Sequence, residues 1–238
     1  MNFVHRVKMW INTTGLAYVS FLNRREFETQ SYSGINERPL EFRFVFEQLA
    51  RTWPKKVLDV GTGTTALPHL MRNCGFLVTA VDNIRDYWTS SMINRHYHVI
   101  NDDITRTRLT KTFDFITCVS VLEHIKDHKA AVRSMFKLLN PGGHLVLTFP
   151  YNESRYVGNV YALPESTVKE KLPFVAQAFS RNEINEWMSA NNGEIIEQEF
   201  WQFFTGEFWT CGERVQPPLQ VSKNEKHQIS CLLIRKSE

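Results

Sequence analysis

The 238-residue chain is 42% hydrophobic, enough to bury one sizeable core. Its 28 Lys and Arg against 25 Asp and Glu leave a net charge of +3 with no long basic block, which argues against a broad nucleic-acid footprint. Cys74, Cys118, Cys211 and Cys231 are widely spaced and form no CxxC pair, so reduced thiols are expected rather than a disulfide framework, and no metal site is expected.

In chain order, "MWINTTGLAYVSFL" (Met9 to Leu22) is apolar but interrupted by Asn12 to Gly15. It is shorter than the ~20 residues of a membrane span and lacks the clean apolar run of a signal peptide. It reads as part of an N-terminal helical or irregular lid, residues 1–38, with weak membrane-surface contact as the lesser alternative. Pro39 can open a helix, and Leu40, Phe44, Val45 and Leu49 follow near helical spacing. "KVLDV" is a strand, followed by the glycine turn "GTGTT"; "TALPHLMRNCG" is a helix closed by Gly75. "FLVTAVD", "YHVI" and "FDFITCVS" are the next strands. A helix N-capped by Asp127, an "NPGG" turn and the strand "HLVLTF" complete the alternation. Strands alternating with helices predict a parallel sheet with right-handed crossovers. After an irregular stretch, Ser180 and Glu183 form a capping box, and Gly193 is expected to close that helix. "EIIEQEFWQFF" and "HQISCLLIRK" read as two late strands joined by a loop holding Pro217 and Pro218.

The ligand of the glycine turn is narrowed by elimination. A P-loop needs a Lys-Ser/Thr pair after its second glycine, and none is present. Gly61, Gly63 and Ala66 have the spacing of a dinucleotide fingerprint, so glycine spacing alone leaves NAD open. Asp82 ends the second strand, where an acid takes the two ribose hydroxyls of either ligand. Asp59 sits awkwardly beside a pyrophosphate. It suits an ammonium group such as the methionine end of S-adenosylmethionine, or it merely stabilises the turn.

"VLDVGTGTTALPHLMRNCGFLVTAVD", "NDDI", "FDFITCVSVLEHI" and "LLNPGGHLVLTFP" occur in order over roughly residues 56–150. Together they resemble the class I S-adenosylmethionine-dependent methyltransferases, in the branch with "VLEH" and "PGG" blocks. The resemblance implies an α/β, Rossmann-like, doubly wound, mostly parallel seven-stranded sheet with helices on both faces and a C-terminal antiparallel hairpin. The domain would span residues 39–238, with a substrate-side insert at about 150–180. It implies S-adenosylmethionine as cofactor, with Asp59, Gly61 and Gly63 at its methionine end. Asp82 would hold the ribose with Asn83 nearby, Asp103 and Ile104 the adenine, and Val119 and Ser120 the methionine side. Asp103 is preferred to Asp102 as the residue preceding Ile104. Thr65, where many members carry a third glycine, would narrow the turn or cap the following helix.

Catalytic groups do not follow from cofactor motifs, because the cofactor brings the activated methyl group and alignment supplies much of the rate. His124 is a candidate general base, with core packing as its alternative, and Glu123 would favour a helix N-terminus. Tyr151, Asn152, Arg155 and Tyr156, residues of exposed type after the fifth strand, face the acceptor side, with Tyr151 the second catalytic candidate. The aromatics Trp201, Phe204 and Trp209 read mainly as core. Segment 32–41 would close over the cofactor, and Arg38 would meet either its carboxylate or a surface acid. The expected activity is methyl transfer to oxygen or nitrogen of a small molecule, such as a sugar, a polysaccharide precursor or a secondary metabolite, in the cytoplasm. No nucleic acid or stable membrane insertion is expected, and a homodimer stays open. The competing readings are an inactive methyltransferase-like binding protein and an NAD-dependent oxidoreductase.

Overall fold

The computed structural model describes residues 3–30, 36–84 and 94–237. Residues 32–35 of the strap expected over the cofactor lie outside the described residues. The chain divides into two units, Met1–Glu37 and Arg38–Glu238. The first contains one helix, α1 (Phe3–Thr29), in which no residue is buried. Thr13 and Thr14 fit its interior because their hydroxyls return to the carbonyls of Met9 and Trp10. No helix among the described residues is long and apolar enough to cross a membrane.

The second unit is built on one eight-stranded sheet of order β3-β2-β1-β4-β5-β8-β6-β7. Strands β1 (Lys56–Val60), β2 (Leu77–Asp82), β3 (Val99–Asn101), β4 (Phe113–Val119) and β5 (Leu139–Pro150) run parallel. β6 (Gly193–Phe204), β7 (Arg214–Val221) and β8 (Ile229–Lys236) add antiparallel pairings, with β8 inserted between β5 and β6.

Strand alternation sorts the buried side chains onto two faces. Leu58, Ile116, Leu145, Leu147, Leu232 and Ile234 share one cluster with α4 (His128–Leu138) and α5 (Arg181–Asn191). Val57, Phe115, Val146, Cys231 and Leu233 share the other with α2 (Arg38–Thr52) and α3 (Leu67–Asn73). The near-continuous apolar sequence of β4 follows from being covered on both sides.

Local signals act largely as their chemistry dictates. Asp127 accepts from the Ala130 amide at the start of α4, and Ser180 with Glu183 forms a reciprocal capping box on α5. Four expectations are corrected. The sheet has eight strands rather than seven, because the segment holding Pro217 and Pro218 is strand β7, not a loop; among the described residues it pairs with β6 at the sheet edge, and the prolines fall where that register shifts, positions that tolerate residues unable to donate. "NPGG" lies within β5. α5 closes on Asn192, which takes the left-handed conformation (φ 52°). Gly193 starts β6 instead, where a Cβ would come within 2.7 Å of Phe136 Cζ. The four cysteines are free thiols, three of them buried.

Candidate active site at the carboxyl edge of the sheet

The ends of β1, β2 and β4 meet around the glycine turn. Gly61 donates its amide to the Val81 carbonyl at 2.8 Å, pinning the turn to β2. Gly61 has φ 74°, and a Cβ there would stand 2.3 Å from Val121 Cγ1, so close approach as well as conformation demands glycine. Gly63 (φ 55°) differs: a Cβ there would find only Asp82 Oδ2, at 4.0 Å. Thr65 returns its hydroxyl to the Thr62 carbonyl at 3.0 Å and does not cap α3, whose N-cap Ala66 makes no side-chain bond.

Asp59 is 2% exposed. The parallel register sets it opposite Thr117, whose hydroxyl donates to Oδ1 at 2.7 Å, while Thr62 donates to Oδ2 at 2.6 Å. Burial pushes its carboxyl up to about 6, against the pull of those two hydroxyls. Asp59 therefore braces the turn, and it also lines the cleft above it with Arg38, Phe42, Thr62 and Val119. Asp82 accepts from the Gly63 amide at 2.6 Å, and burial raises its pKa. Asn83 follows it, half-buried.

Beyond β3, Asp103 caps a short 3-10 turn, accepting from the Thr105 amide and hydroxyl and from Arg106 Nε. Burial works to raise its pKa, but these donors outweigh it and hold the carboxyl below the usual range. Asp102 is more buried and is taken up by Thr107 and the Arg108 amide, while Ile104 packs into the main core.

Ser120 ends β4 in the left-handed region (φ 49°). Such a conformation costs a non-glycine residue on the order of 1–3 kcal/mol and persists only where its surroundings enforce it. Here its amide donates to Thr148 O and Oγ1, both at 3.0 Å, and its hydroxyl donates to Glu41 Oε1 at 2.5 Å.

Two positioning residues escape a reading by motif. Glu41 of α2 is fully buried and accepts from Arg38, Ser120 and Thr148. Asn94 donates its side-chain amide to the carbonyls of Gly63 and Thr65, both at 2.9 Å, bracketing the glycine turn from outside. The signal for Glu41 was an acid on the apolar stripe of α2; Asn94 carried no signal. Arg38 donates to this buried acid and to the Val119 carbonyl.

His124 Nδ1 lies 2.6 Å from the Val175 carbonyl. A carbonyl only accepts, so the ring proton sits on Nδ1 and Nε2 keeps its lone pair. Burial lowers the imidazole pKa, against that hydrogen bond. Glu123 is buried in a 3-10 turn ahead of α4 and does not sit at that helix's N-terminus. Tyr151 and Asn152 are not exposed, because residues 151–179 fold back onto the sheet edge. Tyr151 donates its hydroxyl to Glu153 at 2.8 Å, and burial raises its pKa. Trp201 and Phe204 belong to the core, with Trp209 packed against it.

A sheet of this order with its cleft at the strand carboxyl ends defines a nucleotide-type α/β fold. A family model described as "Methyltransferase domain" matches residues 37–198, more than half of the chain. The chain belongs to that methyltransferase family, in the class I S-adenosylmethionine-dependent group. Among curated relatives, a ubiquinone biosynthesis O-methyltransferase of Pseudomonas fluorescens is 30% identical over 128 residues, 51% of this chain and 54% of the relative. The chain thus matches about half the length of such relatives. Among solved structures, a 1,6-didemethyltoxoflavin-N1-methyltransferase of Burkholderia thailandensis has a TM-score of 0.55 at 14% identity, covering 100% of this chain and 92% of that one. A magnesium protoporphyrin IX methyltransferase of Synechocystis has a TM-score of 0.53 at 14% identity, covering 100% and 98%. These two likenesses concern the fold.

The residues of the cleft fit S-adenosylmethionine. A guanidinium and a carboxylate line one cleft, matching a zwitterionic amino acid. A second carboxylate stands at the end of β2, and the open side of Gly63 leaves room beside it. A pyrophosphate would instead face the Asp59 carboxylate.

Proposed function

We propose that this protein is an S-adenosylmethionine-dependent methyltransferase acting on a hydroxyl oxygen of a small molecule. The observation that carries the cofactor reading is the pairing of Arg38 and Asp59 around a glycine turn that offers no lysine for phosphate. In this reading Arg38 meets the cofactor carboxylate and Asp59 its ammonium group. Asp82, with Asn83 beside it, takes the ribose hydroxyls. Asp103 and Ile104 border the adenine, and Val119 and Ser120 flank the methionine chain.

The cofactor, when bound, supplies a methyl group already activated on a sulfonium. The remaining task of the chain is to align an acceptor, exclude water and take up a proton. Oxygen is favoured over nitrogen by His124: burial keeps the imidazole neutral and its Nδ1 donates to the Val175 carbonyl, so the basic nitrogen of the ring is Nε2, which stands 3.9 Å from Glu123 Oε1. Tyr151 is not assigned to catalysis, since its phenol is buried and engaged by Glu153. The P. fluorescens relative, described as an O-methyltransferase, agrees with this choice. Sugars, polysaccharide precursors and hydroxylated secondary metabolites are the acceptors to screen.

Titration calorimetry with S-adenosylhomocysteine tests the cofactor site. Asp82→Ala should weaken binding by at least about tenfold, the loss of a charge-assisted pair of hydrogen bonds, with the circular dichroism spectrum kept. Unchanged affinity would remove Asp82 from the site.

A further inference from the structure

Glu41 stands where three elements meet. It lies on α2, accepts from Ser120 at the end of β4 at 2.5 Å, and from Thr148 on β5 at 2.6 Å. Its second oxygen accepts from Arg38 at 3.0 Å, and the same guanidinium nitrogen donates to the Val119 carbonyl at 3.2 Å. A fully buried carboxylate is costly to desolvate and is no general device for stability; apolar side chains of like volume often serve the core as well. Its donors are not scattered. Arg38 and Val119 line the cleft, and Ser120 is the one left-handed residue at that strand end. Strained backbone held by several converging bonds is a feature of functional sites.

We propose that Glu41 is a positioning residue for the amino-acid end of the cofactor. It holds the Arg38 guanidinium over the β4 terminus and locks Ser120 in its left-handed turn, so that the cation and the strand end stand preformed at the cleft. This rests on the reading of that cleft as the cofactor site. Ligand recognition then separates into two parts, with the nucleoside served by Asp82 and Asp103 and the amino-acid chain by the assembly that Glu41 organises.

Two ligands test this on the full chain by calorimetry: S-adenosylhomocysteine, and 5′-methylthioadenosine, which keeps the nucleoside but lacks the amino-acid group. Glu41→Gln keeps the shape and removes the charge. It should weaken S-adenosylhomocysteine by about tenfold or more and 5′-methylthioadenosine by less than about threefold, as expected for a charged contact reached only by the longer ligand. Thr148→Val, which removes one donor to Glu41 at nearly constant volume, should show the same split at about three- to tenfold and covers the case in which Glu41→Gln fails to fold. Equal losses for both ligands would mark Glu41 as a purely structural residue and overturn the proposal. So would unchanged S-adenosylhomocysteine affinity in a folded variant. Failure of the unsubstituted protein to bind either ligand would instead overturn the cofactor reading itself.

Discussion

Asp59 and His124 illustrate opposite uses of burial. Asp59 takes up its proton at about 6 when folded and at 3.8 as a free side chain, so the folded state binds more protons between those values. Its contribution to stability is greatest below 3.8 and falls as pH rises through about 6, leaving a buried charge that is a net cost at neutral pH. Asp59→Asn should therefore raise the melting temperature at pH 7 and flatten the loss of stability across that window, as read by calorimetry at several pH values. The same variant should weaken S-adenosylhomocysteine, because the partner of its ammonium group is gone. For His124 the pKa moves down, so the imidazole stays neutral below its ordinary range. The acid limb of kcat at saturating cofactor should lie below 6.5. His124→Gln should lower kcat by roughly 10²-fold or more, the usual yield of a general base, without changing affinity for S-adenosylhomocysteine. A variant as active as the parent would remove the base from the mechanism.

Within the turn between β1 and α3, two glycines of similar φ serve different ends. Gly61→Ala forces a Cβ into the Val121 side chain in a left-handed conformation. Overpacking and strain together should cost about 2–5 kcal/mol, measured by denaturant unfolding. Gly63→Ala meets no packed neighbour, so its cost should stay near the strain alone, about 1–2 kcal/mol. Its added methyl stands on the open side of the turn next to Asp82, so binding should suffer more than stability. If Gly61→Ala proved no more destabilising than Gly63→Ala, the close approach of Val121 would be refuted.

Across the sheet, stability concentrates where strands are covered twice. β8 lies between β5 and β6, and its Leu232 is 0% exposed, whereas Leu219 on edge strand β7 is 49% exposed. Leu232→Ala should cost about 2–5 kcal/mol by cavity formation, and Leu219→Ala within about 0.5 kcal/mol. Similar values for the two would show that β8 is not central. Ion pairs such as Arg51 with Glu197 tie α2 to β6 at the surface and should add little, since exposed pairs are screened.

Local chemistry was legible in the chain because it involves neighbours in sequence. The glycine turn, the Asp127 cap and the Ser180–Glu183 box each depend on residues within a few positions of one another, and the apolar run of β4 betrays a strand covered on both faces. Long-range placement was not. Pro217 and Pro218 read as a loop, but they sit at a register irregularity of β7, between the Leu219 and Arg214 pairings with β6. Tyr151 and Asn152 read as exposed until residues 151–179 folded over them. Glu41 and Asn94 acquire their roles from partners distant in sequence, Ser120 and Thr148 for the first and the carbonyls of Gly63 and Thr65 for the second. The sequence by itself determined the periodicities, the caps and the acids at the strand ends; the tertiary structure decided which carboxylates brace, which line the cleft and which backbone they hold, because hydrogen bonds across elements depend on register and packing rather than on spacing along the chain.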